Sequence, residues 1–457
     1  MGKAAKLYAL LGVLVVLCAA AFAVSRHEER KEQIQATGAA ILEIPTDGVT
    51  NLSWVNDSGS FSFTKAERWS YDDDPAFPVD ETKINNLLSL FQSFRAAFSI
   101  ENPEELSQYG LDDPVCTISV TAQGQTHTLL LGDYSKMDQQ RYLSLGDGNV
   151  YLAEQDPLEE FDAVLDDLIL DDTIPTLGKV QEIAFQGSAQ YTLLRREDGK
   201  SLCAQDVYFT EDGPLDTTLV DNWLTSMQSL SLTEDVNYNA DQTALEAYGL
   251  DDPELTATVY GEEGSVTLSL SRNPEEVAAY NQALEQEQTL PTVHCYARVD
   301  ASRIVYEIPQ STYDKLTAAD YNTLRHQKLF PAEFASVTAI DVTLAGERYR
   351  LTYTPPEQED QEGTWRCGDK TFAPYTLRTA LCSMDAQEFT ADPAQGQEEI
   401  RLVLTLDSED FPTFTLTLYR HNGTTCLATI DGTPTAYVTR TQTVDLIEAI
   451  NQIILDG

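Results

Sequence analysis

A chain of 457 residues with 42% hydrophobic and 9% aromatic content has the makings of several buried cores, which excludes a disordered acidic tail. Its formal charge is −45, from 29 Lys+Arg against 74 Asp+Glu; the first 31 residues carry a net +3, so the remainder carries −48. A surface of that sign repels phosphate backbones, which excludes nucleic acid as a partner.

The chain opens with Lys3 and Lys6 ahead of an uncharged apolar run of 18 residues, Leu7 to Val24. At about 1.5 Å per residue such a helix just crosses a bilayer core. The run is read as an uncleaved signal anchor over 7–24, with a cytoplasmic N-terminus of residues 1–6. A cleaved signal peptide is the competing reading, since Ala21-Phe22-Ala23 forms an AxA-like site. A lipoprotein is disfavoured, because Leu17 stands before Cys18 where a small residue is wanted. Lys3 and Lys6 face Arg26, Arg30 and Lys31 across the span, so positive charge alone leaves the orientation nearly tied. Residues 25–44 read as a juxtamembrane linker.

The body is a repeat. The first unit, 45–175, begins with strand-like residues at Val49-Thr50-Asn51-Leu52. An amphipathic helix follows, with Ile84, Leu87, Leu88 and Phe91 on one face and Asp80 placed as its N-cap. Then come Tyr109, Gly110, Leu111, Asp112, Asp113 and Pro114, an alternating strand at Cys116, Ile118 and Val120, and a hairpin over 141–153. A closing amphipathic segment carries Leu158, Phe161, Val164 and Leu165.

The second unit, 176–332, repeats the order: Val180 to Ile183, a helix bearing Val220, Trp223, Leu224 and Met227 behind Asp216, then Tyr248, Gly249, Leu250, Asp251, Asp252 and Pro253. A strand at Leu255, Ala257 and Val259 follows, and a hairpin over 295–308. An insertion near 273–293 is expected to add a surface helix. The third unit, 333–457, is degraded. It keeps Val337 to Ile340, the helix face Leu377, Ala380, Leu381 and Met384 with Pro374 at the first helical position, and the alternation Ile400, Leu402, Leu404, Leu406. Its hairpin spans 426–439, and Leu446, Ile447, Ile450 and Ile453 close it. The hexapeptide is missing, with Phe389 to Pro393 in its place. The expected fold class is therefore α+β: tandem units of antiparallel sheet, one face covered by amphipathic helices, behind an N-terminal transmembrane helix.

The hexapeptide is the obvious candidate site, and local structure already explains it. Short helical stretches are expected before it, at Pro103 to Gln108 behind Asn102 and at Asp241 to Ala247. Gly110 and Gly249 then fall where a helix ends at positive φ, and Asp-Asp-Pro turns the chain into the next strand. A cation role for the paired aspartates would need more oxygen ligands than two neighbours supply. The five histidines, 27, 127, 294, 326 and 421, stand isolated in sequence without paired ligand spacing, and no motif for a nucleophile, a zinc protease or a phosphate loop is present. The six body cysteines are dispersed; their even number permits disulfides in an exported chain, but their spacing shows no framework. No catalytic, cofactor or metal residue is assigned.

The order Trp69, helix, Tyr-Gly-Leu-Asp-Asp-Pro, strands and the Tyr151 hairpin resembles the bacterial domain of unknown function 4340 family over most of residues 40–330. Arg325-His326-Gln327-Lys328-Leu329-Phe330 is similar to that family's Arg-Asp-Lys-Arg-Leu-Leu-type segment, departing from it at His326 and Gln327. The resemblance implies a single-span envelope protein with the body outside the membrane, associated with ABC-2-type export permeases and gliding-motility-like auxiliary components. It implies no active site and no cofactor. The expected function is a non-catalytic accessory subunit of an ABC-type transport system. The alternatives are a surface module binding a glycan or peptide, or, third, an envelope hydrolase.

Overall fold

The computed structural model describes residues 33–356 and 363–456. The expected span Leu7–Val24 lies outside the described residues, and among these no helix is long and apolar enough to cross a membrane. The described residues are mostly β, forming three nine-stranded antiparallel sheets with helices between their strands. It divides after Asp171 into two compact units. The first sheet lies in one of them. The second and third sheets share the other.

The first sheet comprises β1 (Gln33–Leu42), β2 (Val49–Asn56), β3 (Gly59–Lys65), β4 (Trp69–Tyr71), β5 (Phe94–Glu101), β6 (Cys116–Ala122), β7 (Gln125–Ser135), β8 (Gln140–Ser144) and β9 (Val150–Ala153), in the order β1-β5-β9-β8-β7-β6-β2-β3-β4. Much of the segment expected to be a linker is thus strand β1, paired along β5.

The second sheet comprises β10 (Val180–Gly187), β11 (Tyr191–Arg195), β12 (Tyr208–Thr210), β13 (Gly213–Pro214), β14 (Asp235–Asn237), β15 (Leu255–Gly261), β16 (Ser265–Arg272), β17 (Cys295–Val299) and β18 (Val305–Ile308). Its order is β14-β18-β17-β16-β15-β10-β11-β12-β13. The third comprises β19 (Val337–Leu344), β20 (Glu347–Thr354), β21 (Thr364–Cys367), β22 (Lys370–Phe372), β23 (Glu388–Phe389), β24 (Glu398–Leu406), β25 (Thr413–Arg420), β26 (Thr425–Ile430) and β27 (Thr433–Thr439), in the order β23-β27-β26-β25-β24-β19-β20-β21-β22. Eight strands keep one connectivity in all three sheets. The ninth differs: β1 extends the first sheet beyond β5, whereas β13 and β22 extend the others at the opposite edge.

The repeat helices are α1 (Glu81–Ser89), α3 (Thr217–Gln228) and α8 (Tyr375–Cys382). Each buries the face that its 3.6-residue period marks: Ile84, Leu87 and Leu88; Val220, Trp223, Leu224 and Met227; Leu377 and Leu381. Asp80 accepts from the backbone N–H of Thr82 at 2.7 Å, and Asp216 from that of Thr218 at 2.9 Å. In the third unit Pro374 is the N-cap residue itself, one position earlier than expected, and makes no side-chain cap.

The first strand of every unit carries the same defect. Register shifts fall between Val49 and Asn51, between Val180 and Glu182, and between Val337 and Ala339, each against the second strand after the unit's repeat helix (β6, β15 and β24). The extra residue lets Val49 and Leu52, three apart, both turn inward, as do Val180 with Ile183 and Val337 with Ile340.

The closing segments differ more than their sequences suggest. The first breaks into a single turn, α2 (Leu158–Phe161), and a 3₁₀ turn at Leu165–Leu168, leaving Val164 exposed. The third is one helix, α9 (Arg440–Asp456), burying Leu446, Ile450 and Ile453, with Ile447 half-buried.

Candidate functional site

Both hexapeptides are joints. The first follows a 3₁₀ turn, Leu106–Tyr109, rather than a helix starting behind Asn102. The second follows α4 (Gln242–Tyr248), capped by Asp241. Gly110 (φ 70°) and Gly249 (φ 72°) are left-handed. Leu111 donates its N–H to the Leu106 carbonyl at 3.1 Å, and Leu250 to that of Leu245 at 2.8 Å, the paired-carbonyl closure of a Schellman motif.

The tyrosine and leucine of each joint then turn back onto the sheet. Tyr109 meets the Tyr142 ring edge-on at 4.9 Å, and Tyr248 meets Tyr296 at 4.8 Å. Tyr109 and Leu111 form a small core with Ile100, Val150 and Leu152; Leu250 forms another with Ala240, Leu245, Tyr296 and Val305. The expectation of one covered face therefore fails at this end of the first two sheets, because the joint covers the second face. Asp112, Asp113, Asp251 and Asp252 are exposed, with Pro114 and Pro253 half-buried behind them. No third carboxylate, histidine or thiol joins either pair among the described residues.

A different constellation does gather chemistry. It lies where the loop between β11 and β12 meets the connector from the second sheet to the third. Asp206 is almost wholly enclosed, its side chain 1% exposed, and His326 Nε2 stands 2.8 Å from Asp206 Oδ2. On the other side of the ring, His326 Nδ1 is 3.4 Å from Asp216 Oδ2. Asp216 is already fixed by its capping bond to Thr218, so one carboxylate serves both the helix and the imidazole. Ser201 Oγ donates to Asp206 Oδ2 at 2.5 Å, and Cys203 completes the group. One ligand atom from each of Cys203, Asp206 and His326 lies within 4.8 Å of the others.

Burial, and then the charges of Asp206 and Asp216, push the Cys203 thiol above its ordinary value. An activated nucleophile needs the opposite shift. Thiol, imidazole and carboxylate together are instead the donor types of a transition-metal site.

Both sides of this seam are anchored. Leu202 packs on the third sheet's core, which Leu329 and Phe330 of the connector also enter, and Lys200 pairs with Asp410. Cys203 lies on the wall of a cavity of about 410 Å³ that Ala332, Leu406 and Phe411 also line. Arg325, the nearest cation in sequence, points away and stacks 4.2 Å from the Phe389 ring centroid.

Sequence order conceals this group. His326 and Asp206 are 120 positions apart, and the histidines read as isolated. His294 is not isolated either, since Glu276 accepts from its backbone N–H at 2.7 Å and stands 2.9 Å from its ring Nδ1. His421 meets the Tyr437 ring at a tilt, 4.5 Å between centroids. The available signal was Asp216, already marked as a cap, in a chain whose only family-segment histidine is His326. The six body cysteines are free thiols, with no disulfide among them.

Two stretches, residues 69–210 and 210–402, match the model of a family described as Domain of unknown function (DUF4340). Both are out of phase with the sheets, beginning on the strand ahead of a repeat helix (β4) or at its end (β12) and running into the next sheet. No curated protein and no solved structure matches the chain.

Proposed function

The chain belongs to the DUF4340 family, and from that premise we propose that it is a non-catalytic, membrane-anchored extracytoplasmic protein, an accessory component of an ABC-type transport system. Leu7–Val24 is the single span, residues 1–6 are cytoplasmic, and the three sheets stand outside, offered to a permease of the ABC-2 type.

The supporting observation is the shortness of the tether. Only eight residues separate Val24 from Gln33, where β1 enters the first sheet. Fully extended they reach about 28 Å. The first sheet is thereby held against the membrane face, where the outer loops of a membrane partner lie. The −48 charge of the residues that follow the first 31 disfavours contact with anionic headgroups, which leaves protein as the better neighbour.

The test is purification of the full chain, expressed from its own locus, in mild detergent. A permease subunit co-purifying in fixed ratio is the expected result; a homogeneous monomer free of any transport protein sinks the reading. Protease added outside intact spheroplasts should digest the body, and a fully protected body would place it on the wrong side.

A further inference from the structure

We propose that Cys203, Asp206 and His326 bind one transition-metal dication of the zinc type, fastening the β11–β12 loop of the second sheet to the connector that enters the third. This goes beyond the transport reading and does not depend on it.

Geometry comes first. Donor atoms around a tetrahedral zinc stand roughly 3.3–3.7 Å apart, given bond lengths of about 2.0–2.3 Å. The three donors here already lie within 4.8 Å of one another, so side-chain rotations of a few tenths of an ångström to about one ångström bring them to a common centre. The His326–Asp206 hydrogen bond at 2.8 Å is the contact that such a rotation opens.

Orientation is supplied as well. A ligating imidazole commonly donates its second ring N–H to a carboxylate, which sets the tautomer and the ring plane. Asp216 occupies that place opposite Nδ1 at 3.4 Å, and its helix cap holds it there.

Charge points the same way. Asp206 is enclosed and, among the described residues, its ion-pair partner is His326, which Asp216 also engages. Two carboxylates and a thiol therefore converge on one imidazole. A dication answers that charge, and on binding it displaces the thiol proton to solvent, leaving a metal–thiolate bond. Sulfur and nitrogen donors favour zinc, cobalt or nickel over calcium or magnesium. His326 and Cys203 are both partly exposed, so an ion has a way in, and three protein donors leave the fourth position to water.

The bland alternative is a hydrogen-bonded cluster that binds nothing, and cobalt titration separates the two. The freshly reduced full chain, titrated with Co²⁺, should develop a thiolate-to-cobalt charge-transfer band that saturates at one equivalent and is displaced by Zn²⁺ but not by Mg²⁺. Cys203→Ser should abolish the band, while Cys367→Ser, at another half-buried thiol, should keep it. Asp216→Asn keeps a helix-capping oxygen but loses the charge behind the imidazole, and should weaken Zn²⁺ binding about 10- to 100-fold with the band intact. Absence of the band in the natural chain, or its persistence in Cys203→Ser, overturns the proposal. Should Cys203→Ser fail to fold, alkylation of the natural chain decides: Zn²⁺ must protect Cys203 and leave Cys367 reacting at an unchanged rate, and equal reaction of Cys203 with and without Zn²⁺ overturns it.

Discussion

The same six residues close the first and second sheets, yet they are held differently. In the first sheet they follow one 3₁₀ turn whose N-cap, Glu105, makes no side-chain bond. In the second they follow a capped helix, and the inserted helix α5 (Pro274–Glu285) begins against them. A Cβ on Gly249 would lie 3.2 Å from Pro274 Cγ, and Asn273, just before it, caps α5. The third sheet has no hexapeptide. Around β25 to β27 it has instead a cavity of about 410 Å³ lined by Tyr419, Leu427 and Tyr437. One local motif can thus close a sheet face, but its rigidity comes from what is packed behind it.

Truncating the joint leucines tests that contrast most strongly. Leu111 and Leu250 are equally buried at 3% exposure, and each Leu→Ala change should cost about 2–5 kcal/mol in chemical denaturation. The better-braced second joint collapses less around the void, so Leu250→Ala should be the costlier of the two. Equal costs, or the reverse order, would break the comparison.

The glycines give the next effect. Gly110→Ala and Gly249→Ala should each destabilise by about 1–3 kcal/mol, because a left-handed residue with a Cβ is strained. Asparagine tolerates that backbone, but its Cβ would still stand 2.8 Å from the Asp133 backbone nitrogen, or 2.7 Å from Ser271 Oγ. Asparagine should therefore fail to recover the loss at either joint. Full recovery in a thermal melt would show the cost to be purely conformational.

The smallest effect concerns the brace itself. Hydrogen bonding to Glu276 raises His294 above its usual 6.5, and hydrogen bonds from His294 hold Glu276 below its usual 4.5. The histidine's raised value stabilises fully below pH 6.5 and is lost as pH climbs through it; the carboxylate's lowered value stabilises fully above pH 4.5 and is lost as pH falls through it. Glu276→Gln should therefore destabilise most between pH 4.5 and 6.5, and less in alkaline buffer, by a modest amount because both side chains are partly exposed. A pH-independent difference between the two chains would remove the ion pair from the brace.

Much of this molecule was legible in its sequence because the deciding interactions are local. The helix faces of α1, α3 and α8, the caps at Asp80 and Asp216, and the left-handed glycines depend on residues within a turn or two of one another. The repeat was visible for the same reason, since each unit restates its local rules. Tertiary structure decided the rest. Val49 and Leu52 share a face only because a bulge, set by pairing with a strand some 70 positions later, inserts Thr50 between them. The second face of the first two sheets is covered only because the joint folds back on Tyr142 or Tyr296. Cys203, Asp206 and His326 meet because a loop of one sheet is drawn against the connector into the next, where Leu202, Leu329 and Phe330 pack on the third core. Antiparallel pairing and core burial bring distant residues together with no periodic trace along the chain, whereas caps and turns leave their signature in adjacent residues.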